Sequence, residues 1–560
     1  MTGMRKTMTR GLDLADIQGN IVRPYGRFGF PKARHLFFNI GNAPAGRYFI
    51  EQVRHDVTTS ERWASVDAGP NSNAPARPLV AINIGLSFWG LLALDLPTRM
   101  LRQLPDEFID GMAKRNGILG DVGSSAPEKW DPIWVNAAAK RECQVHIWVS
   151  LNASAKSDGT PADALAERTD WLQKVALASG GVTLLTGHGG RNTAPAAYQD
   201  SSALMDGLGP TKVPTPKEHF GFTDGIADPV FAGQYEPNDE AAEVIGSGKF
   251  LSDNKGWAPL ATGEFILGHD SEAQELPPSA PPWSFMRNGT FMAYRKLHQN
   301  VASFRAYVAQ QASLYRQVTK MESAEAAEKT ILAKMVGRWP NGLPLAIAPT
   351  YEECEKIAAT WAHIPAIQLK RAADRTPKEA AELAEYERLL VDFRYGDDIE
   401  GAKCPVSAHI RRSNPRDALD PRLGSPPPTV PDSSLSNRRR ILRRGLPYGD
   451  PTKPGDTDDT KEHGVIFMAL CGSLFRQFEF IQQQWMQYGA SFNVGNDTDP
   501  VVGLRREGAK FVIPADPKKG GVPFLCANIP QFVETRGGEY FFLPSLTALR
   551  EIAEGSVDPT

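Results

Sequence analysis

The sequence predicts an α+β protein, because strand-like and helix-like segments are mixed without the regular alternation of a doubly wound sheet. No GxGxxG motif follows a strand-like segment, so a dinucleotide-binding fold is not indicated. The strand-like segments are apolar or alternating runs bounded by turn residues. They are "RHLFFNIG" (34–41), "PLVAINIG" (78–85), "CQVHIWVSL" (143–151) and "TFMAYRKL" (290–297).

Three helices can be predicted from their patterns. Thr376, Pro377 and Glu379 supply an N-cap, a first-turn proline and the third-position carboxylate of a capping box. In "SAEAAEKTILAKMVGRW" (323–339) apolar residues share one face up to the glycine that ends the pattern. An amphipathic segment, "DALAERTDWLQKVALAS" (163–179), lies in the first half of the chain.

The length of 560 residues favours two domains or one two-lobed unit. Composition changes near 215–230, and a Pro-rich passage follows at 275–289. We therefore expect an N-terminal lobe at 1–215 and a C-terminal lobe at 216–560. The Pro- and Ser-rich segment 424–437 is expected to be a loop.

The composition argues against two classes of partner. Lys plus Arg total 62 against 65 for Asp plus Glu, a formal charge of -3, so no general attraction to nucleic acid or membrane is expected. The N-terminus has basic residues but no apolar run behind them, which predicts neither a signal peptide nor a membrane anchor. We expect a cytoplasmic protein with five reduced cysteines, and the sequence leaves monomer and homo-oligomer open.

The segment "HFGFTDGIADP" (219–229) raises the question whether Asp224 is a turn residue or a catalytic acid. Asp-Gly is a common turn dipeptide, and Gly221 suits any tight bend, so this segment alone favours the turn. Two further segments change the balance, because they supply a histidine and many arginines: "GDDIEGAKCPVSAHIRRSNPRD" (396–417) and "RRRILRRGLPYG" (438–449).

His409 is followed closely by arginines at 411, 412 and 416. A ligand that carries both iron and carboxylates, such as haem, needs an imidazole for the metal and cations for its propionates. Spacing alone does not decide between this interpretation and a structural histidine. The arginines of 438–444 are open to two interpretations, a nucleic-acid patch or a solvated loop with propionate or substrate contacts, and the near-neutral net charge favours the second.

Several motifs resemble the dye-decolourising peroxidase family, particularly its longer forms, and occur in the family's order. They are "DIQGNI", "HFGFTDGIADP", "GDDIEGAKCPVSAHIRRSNPR", "ILRRGLPYG", "FRQFEFIQQQW", "DPVVG" and "GGEYFFLPSL", spanning residues 14 to 549. The resemblance implies two ferredoxin-like lobes with antiparallel sheets and peripheral helices, and one haem b per chain held largely by the second lobe.

The resemblance also implies roles for individual residues. His409, in C-P-x-x-A-H-I-R, resembles the proximal iron ligand, and Asp224 resembles the distal acid. Arg443, in I-L-R-x-G-L-P-Y, resembles the distal partner of that acid, and Arg416 a propionate-binding arginine. The usual "CPFAAH" is "CPVSAH" here, which changes packing beneath the haem without removing a functional group.

Four more residues are implied with other roles. Asp499 is similar to the carboxylate that holds the proximal imidazole, and Phe467 to an apolar wall over the haem. Tyr448 and Trp485 resemble surface positions that relay oxidation of bulky substrates in some members of the family. For Trp485, the helical spacing of "FEFIQQQW" also favours simple core packing.

We therefore expect a peroxidase that uses hydrogen peroxide to oxidise dyes, phenols and other aromatic donors. The alternatives are a haem carrier or iron-recovery protein with little turnover and a haem-free ferredoxin-like binding module. Asp224 and Arg443 distinguish the peroxidase from the haem carrier, because a carrier needs no acid and no cation on the open face of the iron.

Overall fold

The computed structural model describes residues 11–64, 74–189, 195–206, 211–252, 255–277, 282–370, 374–421, 432–451, 453, 455–515 and 520–557. The strands are β1 Lys32–Ile40, β2 Val80–Leu86, β3 Ile147–Ala153, β4 Val182–Leu184, β5 Gln199–Ser202, β6 Met205–Asp206, β7 Val213–Pro214, β8 Lys249–Leu251, β9 Gly256–Ala258, β10 Thr290–Gln299, β11 Leu442–Arg443, β12 Leu446–Tyr448, β13 Gly464–Cys471, β14 Lys510–Ile513, β15 Phe524–Ala527 and β16 Val533–Leu543.

The α-helices are interspersed with these strands. They are α1 Gly19–Val22, α2 Ala43–Arg54, α3 Phe88–Ala93, α4 Thr98–Leu101, α5 Asp106–Asp110, α6 Asn116–Leu119, α7 Pro132–Ala139, α8 Asp163–Ala178, α9 Pro237–Glu243, α10 Trp283–Met286, α11 Val301–Thr319, α12 Ala324–Val336, α13 Tyr351–Thr360, α14 Ile364–Gln368, α15 Pro377–Val391, α16 His409–Ser413, α17 Ser434–Asn437 and α18 Leu546–Glu554. Two π-helical segments, Leu474–Glu479 and Ile481–Met486, follow β13.

One antiparallel sheet joins the two halves of the chain. Its strand order within the described residues is β11-β13-β10-β16-β2-β3-β1-β4, with β12 paired to β13 and β5 paired to β1. Strands of the first half meet strands of the second half where Phe542 of β16 pairs with Leu86 of β2. The α+β prediction with antiparallel sheets is therefore confirmed, whereas the division near residue 215 stays a prediction.

A single large apolar core spans this junction. Phe37 of β1 lies in the same buried cluster as Tyr294 of β10 and Phe541 of β16, with ring centroids 5.2 and 6.2 Å from that of Phe37. Burial of such large side chains supplies most of the favourable free energy of folding. The two halves of the chain thus share a core.

The helix α18, near the end of the chain, packs against elements from the start of the chain. α18 packs against α2, burying Leu549 and Ile552. The backbone N–H of Leu546 donates to the carbonyl of Asp16 at 2.9 Å, and the N–H of Thr547 donates to Asp16 Oδ1 at 2.8 Å. Gln18 Nε2 donates to the carbonyl of Pro544 at 2.8 Å.

The predicted elements agree with the structure, with two differences. The four predicted strands correspond to β1, β2, β3 and β10, and the three predicted helices to α8, α12 and α15. Thr376 and Glu379 form the capping box. Of the predicted loop 424–437, residues 424–431 lie outside the described residues, and Ser434–Asn437 form the short helix α17. The segment around Trp485 is helical with π rather than α geometry.

No helix among the described residues has both the length and the apolar character needed to cross a lipid bilayer.

Candidate active site

A cavity of about 340 Å³ lies on one face of the C-terminal part of the sheet. Its sheet wall comes from alternate residues of three adjacent strands, because alternate side chains of a strand point to the same face. These residues are Val465 and Phe467 of β13, Arg295, Leu297 and Gln299 of β10, and Val533 and Thr535 of β16. Further lining residues come from the loop that holds Asp224 and from the start of α16.

His409 is the first residue of α16 and lines the cavity. Its Nδ1 lies 2.9 Å from Asp499 Oδ2, and 30% of its side chain is accessible. Burial lowers the pKa of His409, but the charge and the hydrogen bond of Asp499 outweigh burial and raise it. Among the described residues, no group forms a hydrogen bond with Nε2. This imidazole has one nitrogen held by a carboxylate and the other available to a ligand.

Asp499 lies behind His409 and is completely buried. Its second oxygen, Oδ1, accepts the backbone N–H groups of Val501 and Val502, each at 2.8 Å. Burial raises the pKa of Asp499, but the charge and hydrogen bond of His409 outweigh it and lower the pKa to about 2. An ionised carboxylate only accepts hydrogen bonds, so Nδ1 of His409 carries the proton in this pair. Such a partner fixes the orientation of the ring and makes its other nitrogen, Nε2, a better electron-pair donor to a metal ion.

Asp224 and Arg443 form an ion pair in the same cavity. Arg443 Nη1 donates to Asp224 Oδ1 at 2.5 Å, and the N–H of Gly225 donates to the same oxygen at 2.5 Å. Arg443 Nη2 also donates to the carbonyl of Ile226 at 3.2 Å. The Asp224 side chain is 52% accessible and the Arg443 side chain 34% accessible, and both line the cavity.

The pKa values of this pair favour the charged forms. Burial raises the pKa of Asp224, but the charge of Arg443 and the hydrogen bonds from Gly225 and Arg443 outweigh it, leaving the pKa below its usual range. The charge of Asp224 in turn raises the pKa of Arg443. A carboxylate that is ionised near neutral pH can accept a proton from a substrate, and the adjacent guanidinium can stabilise negative charge.

Three more arginines line the cavity without a carboxylate partner among the described residues: Arg338, Arg416 and Arg440. Their hydrogen bonds go to backbone carbonyls, for example from Arg416 Nη1 to Phe393 at 2.8 Å and from Arg440 Nη2 to Ser247 at 3.2 Å. Burial lowers their pKa values, to about 9 for Arg338 and Arg440 and about 10 for Arg416. Buried cations that lack anionic partners favour a ligand that brings carboxylates.

The sequence-predicted residues meet in one place. Asp224, Arg443, His409, Arg416 and Phe467 all line the cavity, and Asp499 contacts His409 from behind. Three lining arginines, at 295, 338 and 440, were not predicted individually.

The sequence signal for Arg440 is the run of arginines at 438–444, for which a solvated loop with propionate or substrate contacts is predicted. The solvated part of this prediction is wrong for Arg440 and Arg444, which are 6% and 8% exposed, and the contact with propionates or substrate stays a prediction. Arg444 pairs with Asp228 and donates to the carbonyls of Asn20 and Ile21.

The expectation that Tyr448 and Trp485 lie at the surface is also wrong, because they are 3% and 2% exposed. Tyr448 sits in β12, where the Lys296 ammonium lies 4.8 Å from the centre of its ring. Trp485 packs against Phe480 and Phe492, with ring centroids 5.5 and 6.2 Å away. The core-packing interpretation of Trp485 is therefore confirmed.

Comparisons with known proteins support the resemblance. Residues 16–158 match the family model described as "DyP dimeric alpha+beta barrel domain". Peroxidase 2 of Mycetinis scorodonius is 28% identical over 559 residues, covering 96% of this chain and 87% of the relative. Dye-decolorizing peroxidase AauDyP1 of Auricularia auricula-judae is 28% identical over 551 residues, covering 96% and 86%. The crystal structure of a fungal DyP-type peroxidase from Auricularia auricula-judae has the same fold, with a TM-score of 0.66, 22% identity and coverage of 97% and 99%.

Proposed function

Because this chain belongs to the dye-decolourising peroxidase family, we propose that it is a haem b peroxidase in which Asp224 and Arg443 act on hydrogen peroxide and His409 holds the iron. The chain is a peroxidase enzyme, as its relatives are, and dyes are the substrates after which the family is named. The finer proposal concerns which residues carry the reaction and which donors they serve.

The arrangement of charged residues around the cavity carries this proposal. An imidazole backed by a buried carboxylate and an ionised acid paired with an arginine line the same cavity. The lining also suits haem b in two other respects. Arg338, Arg416 and Arg440 offer cations for two propionates, and Phe467 gives an apolar wall for the porphyrin ring.

When bound, haem would supply the iron at which the O–O bond of hydrogen peroxide is broken and oxidising equivalents are stored. Asp224 would accept a proton from one peroxide oxygen and deliver it to the other, which leaves as water. Such proton transfer is worth about 10²- to 10⁴-fold in rate. Arg443 would keep Asp224 ionised and stabilise the negative charge that develops on the departing oxygen.

Asp499 would orient His409 so that Nε2 is available to bind the iron. The negative charge of Asp499 would make this imidazole a stronger electron-pair donor. Two electrons from aromatic donors, one from each of two molecules, together with two protons from the donors or from solvent, would complete the reduction of hydrogen peroxide to two molecules of water and leave two donor radicals. The donors we propose are dyes, phenols and other aromatic compounds.

A haem carrier or iron-recovery protein with little turnover is the second candidate. It would also need His409 and the cavity arginines, but not an acid and a cation poised for peroxide. The ion pair of Asp224 with Arg443 therefore favours the peroxidase over the carrier.

The proposal is tested with haem-loaded wild-type protein and the variant His409→Ala. We expect wild type to bind one haem per chain, and its haem absorption band to change rapidly on mixing with hydrogen peroxide. His409→Ala is expected to lose haem or that response. If both proteins bind haem alike and neither reacts, the proposed ligand is wrong and the carrier function is favoured. Purified protein that takes up no haem would contradict both functions.

A further inference from the structure

The loop that carries Asp224 has little regular secondary structure, so other groups must hold it in place. The hydroxyl of Thr223 donates to the carbonyl of Pro340 at 3.1 Å, and the N–H of Asp224 donates to the carbonyl of Pro216 at 2.8 Å. An error of about 1 Å in the position of a catalytic group can lower a rate about 10²-fold. Whatever fixes this loop therefore matters for the chemistry of Asp224.

The side chain of Glu218, six residues before Asp224, accepts hydrogen bonds from the backbone of the same loop. Its Oε2 accepts the N–H of Phe220 and its Oε1 accepts the N–H of Phe222, each at 2.9 Å. The carboxylate thus bridges the two backbone groups that flank Gly221, whose φ of +96° marks the bend. The N–H of Gly221 also donates to the backbone carbonyl of Glu218 at 2.9 Å.

A third donor links this carboxylate to the sheet. Gln299 Nε2, at the end of β10, donates to Glu218 Oε2 at 2.6 Å. The three groups that bind the Glu218 side chain among the described residues are all N–H donors, so a carboxylate can accept from each of them and an amide cannot. Glu218 and Gln299 line the cavity beside Phe222. Through Glu218 the loop is tied to a strand whose position the core fixes.

We propose that Glu218 is a positioning residue, which holds the loop so that Asp224 stays in place against Arg443 and at the cavity. This inference rests on the proposed function, because it assigns Glu218 a part in the reaction with peroxide. Glu218 itself does not contact the reacting atoms. Its part is to accept two loop N–H groups that would otherwise be free to move away from the sheet.

The first test variant is Glu218→Gln, in which the side-chain amide can accept one loop N–H but must face the other with its own NH₂ group. We expect the rate of reaction with hydrogen peroxide to fall about 10- to 100-fold. Amide exchange at Phe220 and Phe222 should become faster.

The pH profile separates positioning from a purely structural role. Arg443 and the N–H of Gly225 hold the pKa of Asp224 below its usual range. If the loop loosens, these contacts weaken and the pKa of Asp224 rises. The charges of Glu218 and Asp224 repel each other, so loss of the Glu218 charge alone would lower the pKa of Asp224. The acidic limb of the peroxide reaction is therefore compared in the double variant Glu218→Gln with Gln299→Glu, which keeps one negative charge at this place, and there it is expected to move to higher pH. A general loss of stability would lower the amount of active enzyme without moving this limb.

A residue swap separates the loop bonds from the charge. The double variant Glu218→Gln with Gln299→Glu restores one negative charge and one amide–carboxylate pair at the same place. It still leaves the N–H of Phe220 opposite an amide NH₂ group. We expect this protein to remain slow. Restoration of the wild-type rate would show that charge alone matters, and would overturn the inference.

Asp459→Asn is the matched control. The Asp459 carboxylate also accepts two backbone N–H groups, those of Ala302 at 2.7 Å and Ser303 at 3.0 Å, at the start of α11. Asp459 is not part of the cavity lining. Its replacement is expected to lower thermal stability and to leave the peroxide rate within about threefold of wild type.

Gln299→Met is the fallback if Glu218→Gln does not fold, because it removes one donor to Glu218 and leaves both loop bonds. We expect a peroxide rate lowered about threefold, with the same direction of shift in the acidic limb. Wild-type rates and wild-type amide exchange in the Glu218 and Gln299 variants would overturn the inference alone. Failure of wild type to react with peroxide would overturn the proposed function as well.

Discussion

Replacement of Asp224 by Asn tests the proposed proton-transfer role while keeping the shape and the hydrogen bonds of the side chain. The Asn carbonyl oxygen can still accept from Arg443 Nη1 and from the N–H of Gly225, so the loop keeps both bonds. What is lost is a group that can take up and release a proton. We therefore expect the rate with hydrogen peroxide to fall about 10²- to 10⁴-fold, which corresponds to about 3 to 5 kcal/mol in activation free energy.

The same substitution should change stability very little. The side chains of Asp224 and Arg443 are 52% and 34% accessible, and an ion pair that is this accessible contributes about 1 kcal/mol or less. In a chain of 560 residues, 1 kcal/mol shifts the melting temperature by only about 1 °C, because the unfolding entropy is about 2.1 cal/mol/K per residue. A large kinetic effect with a small stability effect is thus the expected signature.

The assay mixes haem-loaded protein rapidly with hydrogen peroxide and follows the haem absorption band. Asp228→Asn is the matched control, because Asp228 lies in the same loop but does not line the cavity. The variant loses the ion pair of Oδ2 with Arg444 at 2.7 Å, while its carbonyl oxygen can still accept the backbone N–H of Arg443 that Oδ1 accepts at 3.2 Å. It should lose stability and keep the peroxide rate within about threefold of wild type. If Asp224→Asn keeps a near wild-type rate, or if Asp228→Asn is slowed equally, the assigned proton role is wrong.

Three further predictions concern stability, haem affinity and donor binding. Burial raises the pKa of Glu539 to about 7 from 4.5, so the folded protein favours the protonated carboxyl. The free energy of unfolding of wild type should therefore fall by up to about 3 kcal/mol as the pH rises from 4.5 through 7. Glu539→Gln should lack this loss in denaturant unfolding at pH 5 and 8; an equal difference from wild type at both pH values would contradict the assignment. Arg416→Met should raise the dissociation constant for haem about 10- to 100-fold, measured by transfer of haem to an acceptor protein, because it removes one charge-assisted hydrogen bond worth about 1.5 to 3 kcal/mol; unchanged transfer would mean that propionates bind elsewhere. Since Tyr448 and Trp485 are 3% and 2% exposed, a bulky dye cannot touch them, and Tyr448→Phe and Trp485→Phe should leave its KM unchanged in steady-state assays. A raised KM would indicate that a dye reaches one of them.

The residues that sequence alone could identify are those inside short, ordered motifs. His409, Asp224 and Arg443 each lie in a segment with its own residue pattern, and the structure brings all three to one cavity. Glu218 directly precedes the motif at 219–229 but has no recognisable role in it, and Arg338 lies outside the motifs. The bond from Gln299 to Glu218 and the bond from Arg338 to the carbonyl of Leu390 join residues that are distant in sequence, so only the folded chain shows them.

Burial was the property that sequence predicted least well. Tyr448 lies on a strand next to β13, but the loop carrying His219 also covers it, with His219 Nε2 2.9 Å from the Tyr448 carbonyl. Arg440 belongs to a run of arginines that is typical of a solvated segment, yet it is buried under residues 247–248. In each case a distant segment covers the residue, and local composition carries no information about that segment.

The docking of α18 against α2 has a consequence for how this protein is made. A nascent chain leaves the ribosome from its N-terminus, and domains generally fold in that order. Here the core around α2 lacks Leu549 and Ile552 until the final helix has been translated. The first half of the chain must therefore wait with exposed apolar surface while the second half is synthesised, a period in which chaperone binding would protect it from aggregation.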